Sequence, residues 1–267
     1  AIIPVHMLGN PCNMDRIMKI AKKHDLMVLE DACQAAGASY KGKKVGTIGD
    51  MGAFSLNIFK TINSGDGGLV ATNNQKLYET AFGAHDQGHK PNRFGVEVGA
   101  RSVLGLNFRM NEITGAVGLA QLRKLDMIIT TLREKRSKLK SLIADAGGFK
   151  FRVLNDPDGG DAATLCTVIF DTREQAVKVS EALGSKTIDQ SGWHVYANME
   201  HVLGYLKEVG QPHTKGSYPK TDDILSRSMN ISIGVVDGGL GAGWGININS
   251  TDTEIEEAAN QFIEVCK

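Results

Sequence analysis

The sequence predicts an α/β fold, with a mostly parallel sheet in a large N-terminal domain, residues 1–146, and a smaller α+β C-terminal domain, residues 147–267. Continuous apolar runs alternate with a helical pattern at the start of the chain, as in a βαβ unit whose strands are buried on both faces. Two glycine-rich breaks, Gly147-Gly148 and Pro157-Asp158-Gly159-Gly160-Asp161, mark a change of domain. The length of 267 residues agrees, since it exceeds a prior of roughly 150 residues per domain.

Taken in order, Ile2-Ile3-Pro4-Val5 reads as a buried strand. It opens with no cap, no Met and no leader, so the sequence is expected to be a fragment. Gly9-Asn10-Pro11-Cys12-Asn13 is turn chemistry, and Asn13 predicts the N-cap of a helix carrying Met14, Ile17, Met18 and Ala21 on one face. Lys22, Lys23 and His24 suit the negative C-terminal end of that helix. Leu26-Met27-Val28-Leu29 then predicts a strand buried on both faces, ending in Glu30-Asp31. Open α/β sheets bind ligands at the carboxyl ends of their strands, so Asp31 stands where sites are built.

Residues 37–46 predict a polar loop or hairpin, Gly52-Ala53-Phe54-Ser55 a short buried strand, and Gly68-Leu69-Val70-Ala71-Thr72 another. Asn73-Asn74 is a cap for a helix reaching about Gln87. His85 and His89 have the i,i+4 spacing of a metal-binding pair. Gly88 and Pro91 interrupt the helix there and no third ligand is evident, so no metal site is expected. Residues 110–146 carry the longest helical pattern, which is expected to bend and to bridge the lobes or lie in a subunit interface. Its second half holds Arg133, Lys135, Arg136, Lys138 and Lys140 without aromatic partners and reads as a solvated face. Beyond the break, strands at residues 164–170 and 229–235 predict an antiparallel sheet, with a helix at 173–183 capped by Thr172 and a closing helix at 253–265.

Composition narrows the function. With 30 basic and 30 acidic side chains the net charge is zero, which steers the chain toward neither nucleic acid nor an anionic membrane. No apolar run is long enough to span a bilayer, so neither a membrane nor nucleic acid is an expected partner, and the location expected is cytoplasmic. Cys12, Cys33, Cys166 and Cys266 form no CxxC pair, which fits a reducing compartment and packing roles.

The stretch from Phe54 to Gly68 carries the chemistry: an apolar run ends in Lys60, and a glycine-rich turn follows. A lysine leaving an apolar wall can be desolvated, which frees its amine for imine formation with a carbonyl or with pyridoxal phosphate. Alone, Lys60 reads equally as a strand-end cation in water. Its flanks change that. A carboxylate such as Asp31 keeps a pyridine nitrogen protonated so that the ring accepts carbanion electrons, Ser55 has a hydroxyl to donate to a phosphate, and Gln34 lies just beyond Asp31. A dinucleotide site at Gly65-Asp66-Gly67-Gly68 is disfavoured, because the spacing is wrong and the turn leads into a strand.

Four stretches together resemble the DegT/DnrJ/EryC1/StrS family of pyridoxal-phosphate-dependent sugar aminotransferases of fold type I. They are Leu29-Glu30-Asp31-Ala32-Cys33-Gln34-Ala35-Ala36-Gly37-Ala38, the run from Gly46 to Ser55, the turn from Lys60 to Gly68, and Leu104-Gly105-Leu106-Asn107-Phe108-Arg109-Met110-Asn111-Glu112-Ile113. The resemblance implies an aspartate-aminotransferase-like large domain, incomplete here because members carry a preceding segment with a phosphate cradle and a ring that stacks on the pyridine. It implies Lys60 as the Schiff-base lysine, Asp31 at the ring nitrogen, Gln34 near the 3-hydroxyl, Ser55 on the phosphate, Asn107 on a phosphate across a dimer interface, and Arg109 on the amino donor's carboxylate. The implied reaction moves an amino group from glutamate or glutamine to a keto-sugar, often nucleotide-linked, in a homodimer. A branch of the family dehydrates sugars and has histidine at the lysine position; this chain keeps Lys60. A catalytically silent cofactor-binding or regulatory homologue is the alternative from another class, because an isolated chain of this extent is expected to bind the cofactor weakly.

Overall fold

A computed structural model of the chain describes residues 1–91, 103–156, 158–192, 194–234 and 238–267. It divides into two units, one of Ala1–Ile129 with Leu154–Ala162, the other of Thr130–Val153 with Ala163–Lys267.

In the first unit the Asn13 side chain accepts the Arg16 N–H at 3.2 Å and starts helix α1, Met14–Lys23. Met14 and Ala21 are buried, and Ile17 and Met18 pack against the same core. Strand β1, Leu29–Asp31, follows; after it come the hairpin strands β2, Ser39–Tyr40, and β3, Lys43–Lys44, then β4, Met51–Ser55, and β5, Gly68–Ala71. The hairpin turn is Lys41-Gly42, both with positive φ, the conformation that matches the twist of the flanking strands. β1 and β4 are parallel, with Asp31 opposite Ala53, and β5 runs antiparallel to β4.

The opening residues join β1 as a parallel ladder without forming a regular strand. Ile2 N–H reaches Met27 O, Leu29 N–H reaches Ile2 O, Asp31 N–H reaches Pro4 O, and His6 N–H reaches Asp31 O. Pro4 has no N–H for the Leu29 carbonyl, and that missing rung leaves isolated bridges at Ile2 and Val5. The run expected to be buried from Leu26 is shorter than its composition suggests: Leu26 is 37% and Met27 46% exposed. Leu26 N–H instead closes the end of α1 on Ala21 O, so sheet pairing begins only at Val28.

Helix α2, Gln75–His85, is capped by Asn74, which accepts from Lys76 and Leu77 N–H. The long pattern from Met110 is two helices, α3, Glu112–Leu122, and α4, Leu125–Ile143, separated at Arg123-Lys124. Asn111 caps α3 by accepting the Thr114 N–H at 2.9 Å. α4 belongs to the first unit through Ile129 and to the second beyond it. The core of the first unit holds Met14, Val28, Ala32, Ala35, Tyr40, Val45 and Ile129.

The second unit is an antiparallel sheet in the order β6, Phe149–Phe151, β7, Leu165–Phe170, and β8, Ser228–Ser232. Helix α5, Arg173–Ala182, follows β7, with Thr172 capping it through the Gln175 N–H. Helices α6, Glu200–Glu208, and α7, Pro219–Ser226, precede β8. The expected strand at 229–235 closes at Ser232, and Val235 lies outside the described residues, as does Trp193. Helix α8, Asp252–Cys266, ends the chain and places Phe262 edge-on to Phe149, with ring centroids 5.3 Å apart. The basic half of α4 is no bare solvated face. Lys138 pairs with Asp252 at 3.0 Å and Glu256 at 2.9 Å, Lys140 lies over the Phe151 ring, and Arg136 is buried.

Candidate active site

Asp31 ends β1 and Ser55 ends the neighbouring parallel strand β4. Asp31 is opposite Ala53, and residues two apart on a strand share a face, so Ser55 stands on the Asp31 side of the sheet. The Asp31 carboxylate accepts the Cys33 N–H through Oδ1 at 3.1 Å, while nothing among the described residues bonds its other oxygen. Ser55 Oγ accepts the Asn57 N–H at 3.2 Å and keeps its own hydrogen to give.

Lys60 follows in the turn, its N–H on the Asn57 carbonyl. Its ammonium has no hydrogen-bond or ion-pair partner among the described residues, and the side chain is partly buried. The apolar wall expected before it is only half built: Leu56 is buried, but Ile58 and Phe59 are exposed. The turn is closed instead by backbone bonds, Leu56 N–H to Gly67 O and Ser64 N–H to Leu56 O.

The Cys33 thiol lies beside Asp31 and donates to the Ala53 carbonyl at 3.7 Å. Burial, then the hydrogen bond and charge of Asp31, push it up to about 12, against the opposing pull of the Lys60 charge. Gln34 lies on the loop after Asp31 and accepts the Leu8 N–H through Oε1 at 2.8 Å, holding Leu8 at a φ of 56°.

Asn107 and Arg109 form a second group. Asn107 bridges to Asp86, and its Oδ1 accepts from Arg109 Nε at 2.9 Å. Arg109 Nε is also 3.4 Å from the buried Asp86 carboxylate, so one edge of the guanidinium is committed to this group. Asn111, not Asn107, caps the following helix. His85 donates from Nδ1 to the Phe82 carbonyl at 2.7 Å, and residues 92–102 lie outside the described residues.

Behind Asp31 is a buried pair that sequence reading did not single out. His6 and Glu30, both 0% exposed, meet at 3.0 Å from Nε2 to Oε2. Glu30 also accepts N–H groups from Gly46 at 2.8 Å, Ile48 at 2.6 Å and Gly49 at 2.7 Å. Burial opposes ionisation of Glu30, but His6 and then these amides hold its carboxyl below the usual carboxylate range. The Cys12 N–H donates to His6 Nδ1 at 3.0 Å, which leaves the ring proton on Nε2, facing Glu30. The only local signal was an acidic residue inside an apolar run.

A model of the DegT/DnrJ/EryC1/StrS aminotransferase family matches residues 1–236. The chain belongs to that family. GDP-perosamine synthase of Escherichia coli O157:H7 is 43% identical over 134 residues, an aligned region that is 50% of this chain and 36% of that protein. An aminotransferase from Psychrobacter cryohalolentis superposes with a TM-score of 0.77 at 25% identity, covering 99% of this chain and 68% of its own. An E. coli GDP-4-keto-6-deoxy-D-mannose-3-dehydratase with bound hydrated PLP superposes at 0.76 with 22% identity, covering 100% of this chain and 67% of its own, a likeness of fold. The chain thus spans about a third of the first relative's length. Among the described residues no helix is long and apolar enough to cross a membrane.

Proposed function

We propose that this chain carries the cofactor-holding part of a pyridoxal-phosphate-dependent aminotransferase, one that moves an amino group from glutamate or glutamine to a keto-sugar, often nucleotide-linked. The observation that carries the reading is a pair of groups with no partner among the described residues, one Asp31 oxygen at the carboxyl end of β1 and the Lys60 ammonium in the turn that follows the neighbouring parallel strand β4. That donor set fits the group: an amine for the aldehyde, a carboxylate for the ring nitrogen, and the Ser55 hydroxyl for a phosphate.

Bound pyridoxal phosphate supplies an electron sink for the carbanion formed when the amino donor loses its Cα proton. In this reading Lys60 holds the aldehyde and then carries that proton, its ammonium having no partner among the described residues. Asp31 keeps the ring nitrogen protonated, and Gln34, fixed by Leu8, orients the ring from the 3-hydroxyl side. Arg109 binds the donor carboxylate through the edge that Asp86 and Asn107 leave open, and Asn107 reaches a phosphate in a second copy of the chain. Residues 1–146 form the cofactor-binding domain of this cytoplasmic homodimer and residues 147–267 its small domain.

Dehydration of the sugar is the second reading, favoured by the dehydratase among the fold neighbours and opposed by the amine at Lys60. Adding pyridoxal phosphate to the full chain tests the assignment: a visible absorbance band is expected that Lys60→Ala abolishes. A band unchanged in that variant would sink it. Loss of the band on adding glutamate or glutamine without sugar separates amino transfer from a silent homologue.

A further inference from the structure

We propose that His6 and Glu30 are positioning residues that set Asp31 and Gln34 in place from the far side of the sheet; this rests on the site assignment above. Side chains alternate along β1, so Glu30 points away from the face that presents Asp31. Two separate segments nevertheless converge on the Glu30 carboxylate: the opening ladder through His6, and the loop leading into β4 through Gly46, Ile48 and Gly49.

Each segment then returns to the site. His6 is bound at both ends, its ring to Glu30 and its backbone N–H to the Asp31 carbonyl at 3.0 Å. Two residues on, Leu8 donates to Gln34, so the ladder that Glu30 holds by its ring also places the partner of Gln34. The loop to β4 lies flat on the sheet because Gly52, opposite Glu30, has no side chain: a Cβ there would stand 1.9 Å from the Gly46 carbonyl oxygen. Gly46 has a φ of +82°, which turns its N–H toward Glu30. β4 then carries Ser55 and leads to Lys60. One buried carboxylate therefore ties together the backbones that present the carboxylate, the amide, the hydroxyl and the amine. A buried carboxylate with four donors can serve packing alone, and what ties this one to the site is that the opening ladder it holds also bonds Asp31 and Gln34, through the His6 and Leu8 N–H groups.

The two ring nitrogens of His6 can be replaced separately. His6→Asn puts an oxygen near Nδ1 for the Cys12 N–H and removes the donor to Glu30, whereas His6→Gln keeps a donor near Nε2. Cys33 reports on Asp31 without any cofactor, because its N–H bonds Asp31 and its thiol is suppressed by burial first and then by Asp31. In the full chain the rate of Cys33 modification by an aromatic disulfide, located by peptide mapping, is expected to rise about threefold to tenfold in His6→Asn and to stay near wild type in His6→Gln. The visible band with pyridoxal phosphate should need a similarly higher cofactor concentration in His6→Asn alone. Should His6→Asn not fold, Glu30→Asp, which keeps the charge but withdraws it from Nε2, carries the same expectation.

Cys33 rates that follow the melting temperatures of the variants and ignore which nitrogen is replaced would reduce the pair to core packing and overturn the inference. If wild type gives no visible band, the aminotransferase reading fails, while the Cys33 rates still decide whether His6 and Glu30 position Asp31.

Discussion

Replacing Glu30 by Gln removes one charge and almost no volume. The carboxylate accepts four donors, His6 Nε2 and Gly46 N–H on Oε2, and Ile48 and Gly49 N–H on Oε1. A glutamine amide has one oxygen, so one pair of donors keeps its acceptor and the other pair faces an NH2 group. At ~1–3 kcal/mol for each buried donor left unpaired, the loss is about 2–6 kcal/mol, reduced because a buried charge is no longer desolvated, for an expected value of about 3 kcal/mol at pH 7. Both tryptophans, Trp193 and Trp244, fall in the second unit's residue range, so fluorescence is the wrong probe. Hydrogen exchange of the β1 and β4 amides as a function of urea reads the first unit directly.

The pH dependence gives a second handle with a defined sign. The folded value of Glu30 lies below the ordinary glutamate value of 4.5, because His6 and the three amides outweigh the cost of burial. Its contribution is therefore fully present above pH 4.5 and is lost as the pH falls through the lower folded value. The gap between wild type and Glu30→Gln should narrow below that pH. A loss smaller than about 1 kcal/mol at pH 7, or a gap unchanged on acidification, would refute the reasoning.

Other substitutions test the rest of the structure. Gly52→Ala brings a methyl group against the Gly46 carbonyl and should cost about 1–3 kcal/mol, with loss of exchange protection at Ile48 and Gly49. Phe262→Ala removes a fully buried ring in contact with Phe149, Phe170 and Trp244 and should lower second-unit stability by about 3–5 kcal/mol in urea unfolding followed by fluorescence. Thr251→Ala breaks the capping box with Glu254 and should cost about 1 kcal/mol in the same assay.

Local physics was legible in the sequence wherever the partner lay within a few residues. Asn13, Asn74 and Thr172 cap the helices expected of them because a cap needs only an N–H two or three positions on. Composition misled at Leu26 and Met27, since an apolar run does not say where pairing with the next strand begins. From Met110 to Ala146 the length of the pattern was enough to expect an interruption, but the apolar stripe runs on through Arg123-Lys124 and does not mark where the two helices part.

By itself the sequence determined the fold class and the family, and it pointed to a short set of candidate groups, Asp31, Gln34, Ser55 and Lys60, since residue type and local turn chemistry are written directly in the chain. Only the tertiary structure decided which of those groups are left uncommitted. Lys60 and one Asp31 oxygen have no bonding partner among the described residues, while Arg109 is claimed along one edge by Asp86 and Asn107. The His6–Glu30 pair, 24 residues apart in the chain, exists because a parallel register sets one residue beside the other, and the register is a property of the assembled sheet.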